Sequence, residues 1–280
     1  MSVLGLGTGL IYRNVFGKIP YANEKSVLFD GTDDYGEVTN YSAIATPQGS
    51  SGMTWSMWVY STRSTSTDMR TDRVLSKSSL TNKEWVITVG GGQRFRFFIY
   101  FGNSTSSGDR YRFVPQLVLA KDTWYHAVFT WDSTKATNDM TAINGYINGT
   151  KYNSTIGNIS LQESESTGSA TVTPSSQPIE IGKSSFGGHL WQGYIDEVSI
   201  FNTVLSDAAV TEMYNSGTPI DLTEDIGNYT NSSNLVGYWR MGEQDTGTTI
   251  TNLSSAAGAE DMTLENGAAI SASGVATSLP

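Results

Sequence analysis

Bulky apolar residues recur along this chain with a two-residue period, in short runs separated by Gly, Asn, Asp, Ser and Thr. The run 54–61, TWSMWVYS, sets Trp55, Met57 and Val59 against Ser56, Trp58 and Tyr60. Bulky residues on both faces predict a central strand of a two-layer structure. The run 123–132, TWYHAVFTWD, alternates in the same way, with Trp124, His126, Val128 and Thr130 opposed to Tyr125, Ala127, Phe129 and Trp131. SVLFDGTDDYGEV, 26–38, predicts two strands around an acidic turn. RVLSKS, EWVITVG, QRFRFFIYFG and DRYRFVP predict four more, with Gly90–Gly92 turning a hairpin. In AINGYINGTKYN the pair Asn148-Gly149 is the strongest hairpin signal of the chain.

The best-patterned stretch is 178–217. It predicts a strand, a Gly-rich loop, a long strand and a short helix. Simple alternation in the long strand puts Tyr194, Asp196, Val198 and Ile200 on one face, and Ile195, Glu197, Ser199 and Phe201 on the other. Ser206 is a suitable N-cap and Asp207 complements the first turn; Val210, Met213 and Tyr214 form the apolar stripe, and Gly217 is the expected stop. Around this core, 1–25 is a Gly-punctuated apolar arm, 160–177 a long polar loop and 218–234 a linker. One domain over 26–265 is expected, with its core at 26–217, a closing segment at 234–265 and a tail at 266–280. About twelve short strands and a single helix make the fold all-β, a jelly-roll β-sandwich.

Composition narrows the chemistry. Hydrophobic content of 38% with 11% aromatic residues supports a real core. The formal charge of −10 disfavours nucleic acid and anionic membranes as partners. With no cysteine there is no disulfide, thiolate metal site or Cys nucleophile, and His126 and His189 are the only histidines. The start MSVLGLGTGLIY lacks a basic signal-peptide region, so synthesis and assembly in a cytoplasm is the expectation. Asn-x-Ser/Thr triplets such as those at Asn148, Asn153 and Asn158 are expected from a composition this rich in Asn, Ser and Thr.

FDGTDDY, TWSMWVY, DTWYHAVFTWD, INGYINGT and IEIG…GYIDEVSIFNTVLSDAAVTEMYNSG occur in an order that resembles the concanavalin A-like lectin/glucanase superfamily, specifically its laminin-G-like domains. LVGYWRMGEQDTGTTI resembles a segment that opens many such domains, here placed after the helix, an arrangement similar to virion proteins of tailed, especially marine, phages. The resemblance implies a non-enzymatic surface or structural component of a virion: a capsid decoration protein, head fibre or tail-associated protein. Its implied partners are other virion proteins and further copies of itself, and its implied location the virion. The arm and tail would then serve attachment or oligomerisation. A carbohydrate-binding adhesion module is the alternative, and a glucanase the remote one.

Glycoside hydrolysis needs two carboxylates facing one groove. Asp196 and Glu197 are adjacent and alternate in a regular strand; Glu163 and Glu165 lie in a Ser/Thr-rich loop, so no catalytic pair emerges. The resemblance also implies one structural Ca²⁺, held by Asp30 and Asp196 with Asp33 or the Gly36 carbonyl. The other reading of these residues is that Asp30 and Asp34 cap turns and Asp196 accepts backbone hydrogen bonds. For sugars, the candidate aromatics near loops are Trp191, His189 and Phe186, then Trp85 and Tyr111. His126, within an aromatic strand, reads as a core histidine.

Overall fold

The computed structural model describes residues 23–39, 51–63, 71–90, 92–101, 110–164, 172, 174–185 and 187–272. The first strands follow the sequence pattern: β1 Ser26–Asp30, β2 Tyr35–Val38, β3 Gly52–Ser61, β4 Thr71–Ser78, β5 Lys83–Gly90, β6 Arg94–Tyr100 and β7 Arg110–Pro115. Then come β8 Trp124–Asp132, β9 Ile143–Ile147, β10 Thr150–Tyr152, β11 Ile159–Ser164, β12 Ile179–Ile181, β13 His189–Leu190 and β14 Gln192–Phe201. Helix α1, Asp207–Tyr214, is followed by β15 Leu235–Trp239, β16 Thr249–Ile250, β17 Met262–Glu265 and β18 Ala269–Ser271. They form two sheets, β10-β9-β8-β3-β14-β1-β18 with β15 also on β14, and β11-β7-β6-β5-β4-β12-β2-β17-β16 with β13 on β4.

The alternation read in β3 and β8 is realised. Trp55, Met57 and Val59, with Ala127, Phe129 and Trp131, enter the core between the sheets and meet Trp85, Ile87, Phe95 and Phe97 of the second sheet. The Trp55 ring lies 5.4 Å from Trp85 and 4.9 Å from Phe97, both tilted as aromatic pairs prefer. Antiparallel neighbours pair the strand backbone, and these rings fill the core together with Val, Ile and Met side chains. On the outer face of the first sheet, Val128, Tyr146, Phe201 and Tyr238 pack beneath α1.

Three expectations change. Asn215, left-handed at φ 42°, caps the helix, while Gly217 closes the turn that follows. Past the linker β15 pairs with β14 and β17 with β2, and the change is that β18, expected within the tail, pairs with β1. Alternation in β14 also breaks midway. Ile195, Val198 and Ile200 all enter the inter-sheet core, because Asp196 pairs with Trp58 and Ser199 with Ser56, leaving Glu197 and Val198 opposite Met57 alone. This is a β-bulge, and Glu197 sits in it at φ 49°. The arm residues 1–22, Glu165 and Phe186 lie outside the described residues.

At Gly193 the close pairing of β14 with β3 admits no side chain: φ is +133° and a Cβ would stand 2.1 Å from the Tyr60 carbonyl oxygen. Gly193→Ala is expected to destabilise the fold by at least about 2 kcal/mol, lowering Tm by about 5 °C in a thermal melt. A Tm within 1 °C of the parent, on this order-of-magnitude scale, would contradict the packing described.

Candidate functional site

The bulge redirects two carboxylates. In a regular strand Asp196 and Glu197 would point to opposite faces; here both reach the amide of Asn23, whose Nδ2 donates to Asp196 Oδ2 at 3.0 Å and to Glu197 Oε1 at 2.9 Å. Glu197 also accepts from the Tyr238 hydroxyl and from Arg240 Nε, the latter at 3.2 Å. Asp196 Oδ1 accepts from the Glu197 backbone N–H at 2.8 Å. Asp196 is fully buried and Glu197 nearly so. Burial, then the charge of Glu197, pushes the Asp196 carboxyl well above the ordinary range. The two share a face, contrary to the sequence expectation, but they are locked and closed to solvent, so they are a structural pair and cannot grip a glycosidic bond.

Beside them a cavity of about 10 Å³ is lined by Ser56, Trp58, His126 and Glu197 below and Met213, Pro219, Ile220 and Leu222 above. It has room for one water at most. His126 is a core histidine, as read from the sequence: its Nε2 lies 2.8 Å from Ser56 Oγ, and burial pushes its pKa down to about 3, so it stays neutral.

The four implied calcium ligands are not brought together. Asp30 pairs with Gln192 along the β1–β14 ladder, four strand positions from Asp196, about 13 Å at strand rise. Gly36 lies inside β2, laddered on both sides to Ile181 and Leu264. What remains is the turn Asp30, Asp33 and Asp34, whose carboxylate oxygens lie within 4.8 Å of one another. Two of these oxygens serve the turn: Asp30 Oδ1 accepts from Thr32 N and Asp33 N, and Asp34 Oδ2 from Asp30 N. The backbone bond from Thr32 leads the causes that hold Asp30 below its usual pKa. The donor set therefore does not fit the ion as implied.

The aromatic candidates are also redistributed. Trp191 is fully buried in the inter-sheet core with its Nε1 donating to Tyr194 O, so it cannot stack on a sugar. His189 is exposed on β13. Trp85 and Tyr111 are core residues, the Tyr111 hydroxyl donating to Ala136 O and Asp139 O.

Among the described residues an open groove lies elsewhere, where the β9–β10 hairpin meets the C-terminus of α1. A groove of about 680 Å³ is lined by Asn148, Thr211, Glu212, Tyr214, Asn215 and Asn228, among others, a volume typical of ligand pockets. Each part has a local cause. Asn148 (φ 50°) and Gly149 (φ 72°) make the tight turn that Asn-Gly favours. A Cβ on Gly149 would stand 3.0 Å from the Tyr214 ring, so glycine lets that ring lie over the hairpin. Tyr214 runs nearly parallel to His126 (8°, centroids 6.2 Å apart) and to Trp58 (23°, 6.0 Å), and those two stack at 4.9 Å. The half-exposed phenol thus rests on a buried stack of rings. Glu212 Oε2 accepts from Asn228 N and Nδ2 at 3.1 and 3.2 Å, joining the linker to the helix. No sequence signal marks this convergence: Tyr214 read as part of an apolar stripe, and Asn228 belongs to a stretch without periodicity.

A family model described as the concanavalin A-like lectin/glucanases superfamily, of laminin-G type, matches residues 30–211. Among curated proteins, none matches. Among solved structures, a protein from Bacteroides ovatus ATCC 8483 described as carbohydrate binding is 15% identical with a TM-score of 0.57, over 90% of this chain. The chain spans 61% of that protein's length. The heptameric SAP-like pentraxin of Limulus polyphemus is 11% identical, TM-score 0.49, covering 86% of this chain and 94% of its own. Domain 4 of a GH43 extracellular arabinanase from Geobacillus stearothermophilus, solved with arabinotriose, is 14% identical, TM-score 0.44, covering 68% and 76%.

Two outcomes follow from this geometry. Asp196 holds a proton more tightly folded than unfolded, where its pKa is about 3.9; its stabilising contribution is complete below that value and is lost as pH rises through the folded value. Asp196→Asn removes that loss, so the Tm of the variant minus that of the parent should grow more positive above about pH 4; a pH-independent difference would contradict the assignment. Calorimetric titration with Ca²⁺ should give no saturable heat at the Asp30 turn, and melts with and without EDTA should coincide. A Ca²⁺-dependent rise in Tm, lost in Asp33→Asn, would show that the turn opens to an ion.

Proposed function

The chain belongs to the concanavalin A-like lectin/glucanase superfamily, and from that premise we propose that it is a non-catalytic carbohydrate-binding domain serving as a surface protein of a tailed-phage particle. The observation that carries the binding half is the groove at the end of α1, where a supported aromatic ring stands among amide, hydroxyl and carboxylate groups. Saccharides bind through such a combination: the apolar face of the sugar meets a ring, and its hydroxyls meet paired donors and acceptors. Asn148 Oδ1 is committed to the His126 backbone N–H at 2.9 Å, which turns its NH₂ group into the available donor. The non-catalytic half is supported by the burial of Asp196 and Glu197 and by Glu212 being the one carboxylate that lines the groove.

The virion half rests on the order of the segments. The strand LVGYWRMGE comes after the helix and still joins β14, so the domain closes with its C-terminal part. The polar character of the groove suits adhesion to host-surface glycans, with other virion proteins and further copies of the chain as the remaining partners.

The test is a glycan array probed with the full chain and with Tyr214→Ala. At least one saccharide should bind saturably, and the variant should weaken it by about tenfold or more, the loss of one stacked ring plus its support. No saturable hit, or a hit untouched by Tyr214→Ala, would refute binding at this groove. Immunogold labelling of particles checks the virion half independently: unlabelled particles would refute it.

A further inference from the structure

The charges around the groove say which saccharides it can take. Glu212 is the one charged side chain lining it; the other lining residues are neutral, and among them Asn148, Thr150, Thr211, Asn215 and Asn228 are polar. Glu212 Oε2 is held by two bonds from Asn228, whereas Oε1 accepts no hydrogen bond among the described residues. A fixed carboxylate with one free oxygen is a strong acceptor for a sugar hydroxyl, because a charge-assisted bond to O–H is short and well directed. The same oxygen repels a second carboxylate or a sulfate.

Among the described residues no cation lines the groove. The nearest lysine along the hairpin, Lys151, is engaged by Asp207, with Nζ 2.8 and 3.0 Å from its two carboxylate oxygens. On the linker side the neighbouring charges are acidic as well. Asp225 and Asp221 add, after burial, to the upward shift of the Tyr229 phenol next to Asn228. The chain as a whole carries −10. Each part of the groove therefore offers either a neutral hydrogen-bonding group or negative potential.

Resting on the glycan-binding reading above, we propose that this groove takes a neutral, hydroxyl-rich saccharide and excludes acidic glycans, with Glu212 as the specificity-determining residue. The sugar lays one face on Tyr214, a hydroxyl donates to Glu212 Oε1, and the amides of Asn148 and Asn215 serve the rest. A uronate or sulfated sugar in the same pose would bring its anion into a field that contains no partner.

The experiment measures dissociation constants by calorimetry for neutral hexose trisaccharides (gluco-, galacto- and manno-) and for their C6-oxidised uronate counterparts. It uses the full chain and its Glu212→Gln and Thr211→Lys variants. The parent should prefer a neutral trisaccharide over its uronate by about tenfold or more. Glu212→Gln keeps shape and an acceptor but removes the charge, so the preference should narrow to within about threefold. Thr211→Lys adds a cation at an exposed groove position without touching Glu212 and should shift the preference toward the uronate; it keeps the proposal testable if Glu212→Gln does not fold. A parent that binds uronates as well as neutral sugars, with binding lost in Tyr214→Ala, would overturn the specificity and leave the glycan reading intact. Preference unchanged in both variants would do the same. No saccharide binding at all would overturn the glycan reading and this proposal with it.

Discussion

One extra residue in β14 is the constraint on which the rest depends. By inserting Glu197 in a left-handed conformation opposite Met57, the bulge lets Ile195 and Val198 both enter the core while Asp196 and Glu197 stay together on the outer face. Once two carboxylates are buried side by side, their surroundings are strongly dictated, because an unpaired buried charge costs several kcal/mol. Asn23 arrives from before β1, and Tyr238 and Arg240 from β15 and just beyond it. Two distant parts of the chain converge on the bulge. A buried ion pair such as Arg240–Glu197 adds little net stability over apolar packing, but removing one partner costs about 3–5 kcal/mol. In the observed register of β15 on β14, Tyr238 and Arg240 both reach Glu197.

That convergence also explains how a segment beyond the helix belongs to the domain core. β15, β17 and β18 pair with β14, β2 and β1, so both sheets are completed by residues after 234. Leu235 and Tyr238 join the cluster under α1, while Trp239 enters the inter-sheet core with its Nε1 donating to Glu260 O. The helix has one buried stripe, Ala209, Val210 and Met213, and is too short to be stable alone. Its position is fixed by the sheet face below it and by the linker that crosses above.

Much of this was legible in the pattern of residues, and the failures differ in cause. Period-two runs identified β3, β8 and the central strands because each buries one continuous face, and Ser206 marked the start of α1 through its bond to Ala209 N. Alternation could not reveal the bulge, since a bulge breaks the very period being counted. The misassigned face of Glu197 descends from reading β14 as regular, whereas the joint site of Asp30 and Asp196 was implied by the family resemblance and the tail boundary followed a stretch of small polar residues that carries no period. Trp191 failed differently. Glycines on its N-terminal side suggested a loop, yet the Trp191 N–H bonds to Gly182 O and its ring fills the core. A glycine-rich flank reports on the backbone and is silent about where the next side chain goes.

The groove illustrates why sites are harder to read than folds. Its walls come from a hairpin tip, a helix end and a linker, none of which carries periodicity, and they meet only because the bulge and its partners set the sheet beneath them. The dependence is physical and continuous: Trp58 opposes Asp196 across the β3–β14 ladder, stacks on His126, and these two rings support Tyr214. A neutral His126 suits that support, since an imidazolium there would bring an unpaired charge into a buried site, and burial pushes its pKa down. The groove is thus the outermost layer of a stack whose lowest course is the bulge. Shape in the groove is inherited from the core, and its chemistry is added locally by Glu212, Asn215 and Asn228. Such a division separates the half-buried Glu212 and the exposed Asn215 and Asn228 from the stack that sets their position.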